Sequence, residues 1–209
     1  MKPIDKWQQA SPEVFWGEIA PCEHIIQVYE NDDIFLDTLA NFAGSGIKAG
    51  ECVIVVATQN HLQSLYFRIA RYVLNLREMI AAEQYIPLEA EKVLDQFMIN
   101  EWPDEKLFRQ TISGIIERGS CKGRRIRVFG EMVALLWGKG NTGATVQLEH
   151  LWSRFCEENK LTLFCAYPKV GFTNDINNGM QTLCACHSKM INGSETSSTE
   201  VLYSEVGKL

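Results

Sequence analysis

The sequence predicts a three-layer α/β/α domain with a mostly parallel central sheet, and three observations predict it. Val53-Ile54-Val55-Val56 is an unbroken run of β-branched residues, as expected of a strand covered on both faces. Apolar runs of strand length alternate with helical stretches along most of the 209 residues, the pattern of a parallel sheet with helices on both sides. Glu131 follows directly on the strand-like run Ile126-Arg127-Val128-Phe129 and Gly130. It therefore stands just past a strand's carboxyl end, where open α/β sheets keep their ligand crevices.

In chain order, residues 1–20 carry Trp7, Phe15 and Trp16 among polar neighbours, with Pro3, Pro12 and Pro21 as breakers. These aromatics read as an arm packed on its own domain or on a partner. His24–Tyr29 is the first strand, and Asn31, Asp32 and Asp33 then offer helix-capping chemistry. Leu36, Leu39, Ala40, Ala43 and Ile47 follow at helical spacing, and Gly46 and Gly50 end that helix. The second strand is Glu51–Ala57. Thr58 caps a helix whose inward stripe is Leu62, Leu65, Tyr66, Ile69 and Val73, and a shorter helix is expected around 76–82.

The third strand is Gln84–Leu88. Helices are expected near 90–99 and 103–118, the second opened by Pro103 and Asp104. Arg125–Phe129 and Leu161–Tyr167 are the fourth and fifth strands, the latter halted by Pro168. Between them, Leu148, Leu151, Trp152 and Phe155 mark one face of a helix after the Gly-rich break at 138–143. Residues 169–188 hold a polar, Gly-broken segment and the helix-like string QTLCACH, the tail at 192–199 is Ser/Thr-rich, and Val201-Leu202-Tyr203 reads as an added edge strand. The resulting division is an arm at 1–20, one domain at 21–190 and a tail at 191–209.

The net charge of −6 argues against a nucleic-acid footprint. Lys122, Arg124, Arg125 and Arg127 form the one basic cluster, read as a solvated lead-in to a strand. No apolar run approaches the ~20 residues that span a bilayer, and the first 18 residues are polar where a signal peptide has its apolar core. Seven cysteines, several within apolar strands and helices, fit a reduced cytoplasmic protein. No partnership with nucleic acid or membrane is expected.

Several separated strings resemble one known family in the same order: HIIQVYENDD at 24–33, FMINEWPDEKLF at 97–108, RVFGEMVALLWGKGN at 127–141, LEHLW at 148–152 and LFCAYP at 163–168. They resemble the MEDS domain, a sensory domain named after methanogens, methylotrophs and the dichloromethane-responsive regulator, over roughly residues 20–190. The resemblance implies a RecA/KaiC-like fold without its phosphate loop, a sensory role, and hydrocarbon derivatives as ligands. It also implies an output module, a DNA-binding protein or a histidine kinase. With about 20 residues after the matching region, that output is expected in a separate transcription regulator or histidine kinase, or through a homo-oligomer.

The residues agree with the missing phosphate loop. Where a P-loop needs glycines and a Gly-Lys-Ser/Thr end between the first strand and its helix, this chain has Tyr29-Glu30-Asn31-Asp32-Asp33, which would repel a triphosphate. No nucleophile elbow, zinc-protease motif or dinucleotide fingerprint is present either. No reaction, catalytic residue or cofactor is assigned.

The candidate ligand-binding residues are Tyr29, Asp32, Glu131, Tyr167 and His187. Glu131 either binds a polar group on a ligand or satisfies the amides of its own helix start. Tyr29 and Tyr167 end the first and fifth strands, so both hydroxyls are expected at the same crevice, unless they are ordinary core tyrosines. Asp32 is otherwise the first-turn acid of a helix. His187 shares one helical face with Cys184, for packing, for ligand contact or for a metal, and Cys186, Cys22 and His24 add further donors. The Cys-x-Cys spacing departs from metal-site patterns, so no metal is assigned; a thiol redox sensor is the other use of Cys184 or Cys186. The 169–188 segment is the candidate closing element, and the aromatic arm the candidate contact surface.

Overall fold

A computed structural model of the chain describes residues 7–120, 123–169, 186–193 and 200–206. The chain opens with a short strand β1 (Gln8–Ala10) and a one-turn-and-a-half helix α1 (Pro12–Gly17), whose first turn is capped by the Ser11 hydroxyl accepting from the Val14 amide. β2 (His24–Tyr29) leads to α2 (Asp32–Lys48), where the Asn31 side chain accepts from the Ile34 amide at 3.0 Å. Then come β3 (Cys52–Ala57), α3 (Gln59–Ile69) and α4 (Leu76–Ala81). β4 (Tyr85–Glu89) runs into α5 (Ala90–Leu94), a small hairpin β5 (Met98–Ile99) and β6 (Trp102–Pro103), and α6 (Glu105–Ser120). The second half holds β7 (Ile126–Gly130), α7 (Met132–Gly138), α8 (Thr142–Asn159), β8 (Thr162–Pro168), β9 (Lys189–Gly193) and β10 (Val201–Glu205).

Eight strands form one sheet in the order β1-β10-β9-β2-β8-β7-β3-β4. From β9 to β4 every neighbouring pair is parallel, while β10 and β1 join antiparallel at one edge. The five strands and the α/β class follow the sequence expectation. Three features do not. The expected helix at 90–99 stops at Leu94, because the chain turns back as the β5–β6 hairpin with Asn100 and Glu101 both at positive φ (50° and 63°), the backbone a two-residue type I′ turn requires. Val201–Glu205 is not the outermost strand, since Gln8–Ala10 pairs outside it. Arg127 is no solvated lead-in: it is 3% exposed, its Nε donates to Glu51, and its Nη2 donates to the Trp16 carbonyl at 2.8 Å.

Period-2 alternation divides the core in two. On one face Ile25, Tyr29, Val53, Val55, Phe129 and Phe164 pack against α1 to α4, with Trp16 wholly buried among them. On the other, Ile26, Ile54, Val56, Val128, Leu163, Cys165 and Tyr167 pack against α5 to α8. Phe15 and Trp16 are thus core residues, and of the three N-terminal aromatics only Trp7 is exposed. Among the described residues no helix is long and apolar enough to cross a membrane.

Candidate functional site

β3 and β7 are neighbours and β2 lies beyond β8 on the other side of β7, yet the residues that follow the carboxyl ends of these three strands converge. β7 stops at Gly130, yet the Glu131 amide still donates to the Val56 carbonyl of β3 at 2.9 Å. That last backbone bond fixes where the Glu131 side chain emerges. Its Oε2 accepts from the Thr58 amide at 2.7 Å, and its Oε1 lies 2.7 Å from His61 Nδ1. Thr58 is the cap of α3, and its own hydroxyl accepts from the His61 amide. Glu131 therefore serves a helix N-terminus, where an anion is favoured, but the helix is α3. Its own α7 receives no side-chain cap.

His61 was not among the sequence candidates. The signal for it was its place three residues after a capping threonine that directly follows a central strand. Its Nε2 points the other way, 3.7 Å from Asp32 Oδ2 in the first turn of α2. Tyr29 stacks on Phe35, which in turn meets the His61 ring edge-on. Burial and then the charges of Glu131 and Asp32 push the Tyr29 hydroxyl far up, so it stays protonated. Glu131 is 5% exposed, whereas Asp32 and His61 open onto a cleft of about 580 Å³ that Thr58, Arg68, Glu89 and Glu91 also line. Arg68 is already held by Asp33 and Asp37 at 2.5 and 3.0 Å, which leaves the cleft acidic.

Burial disfavours the His61 cation, but the hydrogen bond and charge of Glu131 and the charge of Asp32 outweigh it, and its pKa rises. The folded chain therefore binds this proton more tightly than the unfolded chain. The resulting stability is complete below about pH 6.5, the ordinary histidine value, and is lost as the pH rises through the folded value. The His61 ring protons, followed by NMR, should titrate above free histidine. Glu131→Gln should move that midpoint down; an unchanged midpoint would remove Glu131 as the cause.

Tyr167 and His187 do not join this group. Val28 pairs with Tyr167 in the parallel register of β2 and β8, and partnered residues share a face, so Tyr167 points to the side opposite Tyr29. There its hydroxyl donates to Glu149 of α8, fully buried, with His187 Nε2 3.8 Å from the same carboxyl. Burial drives the Glu149 carboxyl up to about 8, against the lowering effect of the Tyr167 hydrogen bond. The expected five-residue site is thus two sites, Tyr29, Asp32 and Glu131 on one side and Tyr167 and His187 on the other. Glu149 was also missed, although it falls on the inward stripe of α8 between Thr145 and Trp152. Cys184 and most of the 169–188 segment lie outside the described residues; Cys186 Sγ is 3.7 Å from His150 Nδ1, and Cys22 belongs to neither group.

One of the solved structures that share this α/β fold is the flagellar accessory protein FlaH from Methanocaldococcus jannaschii. It is 11% identical, over 84% of this chain and 73% of that one, with a TM-score of 0.51. At that identity the likeness concerns the fold alone. No curated protein sequence matches the chain. Residues 23–188 match the family model of the MEDS domain, the methanogen/methylotroph, DcmR sensory domain. With about four-fifths of the sequence inside that match, the chain belongs to the MEDS sensory-domain family.

Proposed function

We propose that this domain is a non-catalytic sensor of a small organic molecule bearing a hydroxyl or amino group, held in the cleft over Asp32, Thr58 and His61. The observation that carries the reading is the 2.7 Å bond between Glu131 and His61. A buried carboxylate fixes the imidazole orientation from below, so Nε2 and the Asp32 carboxylate face the cleft as a preset polar pair. Such a few polar groups in a concave site at the sheet's carboxyl edge are what orient a small ligand. The acidic lining and the acidic turn after β2 disfavour phosphates and other anions. Short-chain alcohols, diols and amines, which are hydrocarbon derivatives, fit the lining.

A ligand can act only by favouring one of two conformations. The cleft is bounded by the starts of α2 and α3 and the end of β4, so closing it would shift those elements. The signal then passes to a histidine kinase or transcription regulator in trans, or to a second copy of the chain.

The test has two parts. Native and denaturing mass spectrometry of purified protein should differ by a small organic mass. Thermal unfolding against a panel of C1–C4 alcohols, diols and amines should identify a stabilising ligand. At about a hundredfold excess over its Kd it should add about 2.7 kcal/mol. Asp32→Ala should abolish the shift and Glu131→Gln should weaken it, while millimolar ATP should give none. Equal masses together with no stabilisation by any member of the panel would sink the sensor reading.

A further inference from the structure

The second group of residues is built for a different task. His24 at the start of β2, Glu149 on α8, Cys165 in β8 and His187 just before β9 come from four separate segments, and all four are buried. Each presents one ligand atom to the same point, and no two of these atoms are more than 4.8 Å apart. His24 Nε2 is 3.4 Å from Cys165 Sγ and 3.4 Å from Glu149 Oε2, and His187 Nε2 is 3.8 Å from Glu149 Oε1. The two imidazole rings are tilted 39° to one another with centroids 3.9 Å apart.

These separations can be set against a metal's requirement. Zinc binds nitrogen, carboxylate oxygen and thiolate at about 2.0–2.3 Å, so a tetrahedron of such bonds holds its ligand atoms about 3.3–3.6 Å from one another. Both His24 distances fall within that range, His187 stands 3.8 Å from the other carboxylate oxygen, and a pair at the 4.8 Å limit of the group needs about 1 Å of side-chain movement to reach it. The donor set of two imidazoles, one thiolate and one carboxylate suits zinc and neighbouring divalent ions. A thiolate and a carboxylate together carry two negative charges, so a divalent ion makes the centre neutral, and buried charges persist when they coordinate metals. Outer partners are in place as well. The Tyr167 hydroxyl donates to Glu149, and bonds between the His24 backbone and Ser188, at 3.1 and 2.7 Å, hold the chain next to His187 against the start of β2. Such second contacts orient metal ligands.

We infer that His24, Glu149, Cys165 and His187 form a closed structural site for one zinc-class divalent ion. With four protein ligands it has no open position for substrate, which separates it from catalytic zinc sites. Its place is the helix face opposite the cleft, and it ties β2, β8 and the entry to β9 to α8. The sequence alone assigned no metal and left one open at Cys184, Cys186 and His187. The assignment changes the donors: Cys165 and Glu149 take the place given there to Cys184, Cys186 and Cys22.

The 209-residue chain, purified without chelators, should carry one zinc per chain that survives gel filtration against a weak competing chelator. Replacement by Co(II) should give the strong visible d–d bands of a four-coordinate site and a thiolate-to-cobalt charge-transfer band. Cys165→Ser should remove the charge-transfer band, while Cys186→Ser, Cys184→Ser and Cys22→Ser should keep it. Tyr167→Phe, which leaves every ligand in place, should weaken zinc affinity by about 10- to 100-fold. Circular dichroism establishes that each variant is folded; if Cys165→Ser is not, His187→Gln takes its place and should shift the d–d bands. A wild-type chain that holds no zinc or cobalt against the chelator overturns the site. So does a charge-transfer band that survives in Cys165→Ser and disappears in Cys186→Ser or Cys184→Ser.

Discussion

Replacing Arg127 by alanine is expected to lower the unfolding free energy by about 3–5 kcal/mol, the usual consequence of removing one partner of a buried ion pair. Arg127 is 3% exposed, and Glu51 is 6% exposed. Without the guanidinium, the Glu51 carboxylate keeps, among the described residues, the exposed Arg125 as its one cationic partner, 3.5 Å away. The Trp16 carbonyl also loses its donor. The arginine further covers the Phe42 ring, with its guanidinium carbon 5.7 Å from the centroid, so the packing loss adds to the charge loss. A domain of ordinary stability has about 5–15 kcal/mol in total, so the variant should unfold at much lower urea. The charge can be separated from the shape with a second variant. Arg127→Met combined with Glu51→Leu should recover most of the loss, since apolar replacements of a buried pair are often neutral or better. A single-variant loss below about 1 kcal/mol, the range of an exposed pair, would mean that water reaches this ion pair.

Trp16→Ala should have a loss of similar size, about 3–5 kcal/mol. The ring is fully buried and meets Phe15 and Phe42 edge-on at 4.7 and 5.1 Å, with Phe164 of β8 at 5.6 Å. Few side chains in the chain fill as much volume, and truncation leaves a cavity that the flanking rings cannot close without leaving their rotamers. Trp16→Phe should cost clearly less. Because the Arg127 guanidinium holds the Trp16 backbone, the two single losses should not add, and a double-mutant cycle should show coupling between them. If Trp16→Ala unfolds at the same denaturant concentration as the wild type, residues 12–17 are a detachable arm in solution. These two variants report on the fold alone, since Trp16 and Arg127 lie away from both candidate sites.

Much of the fold was legible because each strand carries its signal locally. Val53 to Val56 must be covered on both faces wherever the strand sits, and Pro168 must end β8. The caps at Asn31 and Asp104 also act within one turn of their own helices. The misreadings came where the decision was made elsewhere. Nothing near 90–99 forbids a helix; Phe97 and Pro103 are buried against other elements, and their burial turns the chain into a hairpin. Arg127 looks like part of a basic surface run until Glu51, 76 positions earlier, is placed beside it.

The candidate site follows the same division. That Glu131 would stand at the carboxyl edge beside Tyr29 and Asp32 could be read from strand ends and helix starts. The amide it would serve could not, because Thr58 and His61 meet it only through the pairing of β3 with β7. The sequence by itself determined the α/β class, the parallel core strands, the absence of a phosphate loop and the family. Tertiary structure alone decided that Tyr29 and Tyr167 point to opposite faces, and that His24, Glu149, Cys165 and His187 meet. The reason is physical: alternation fixes which residues of one strand share a face, but only the register between strands fixes which residues of the chain share a site.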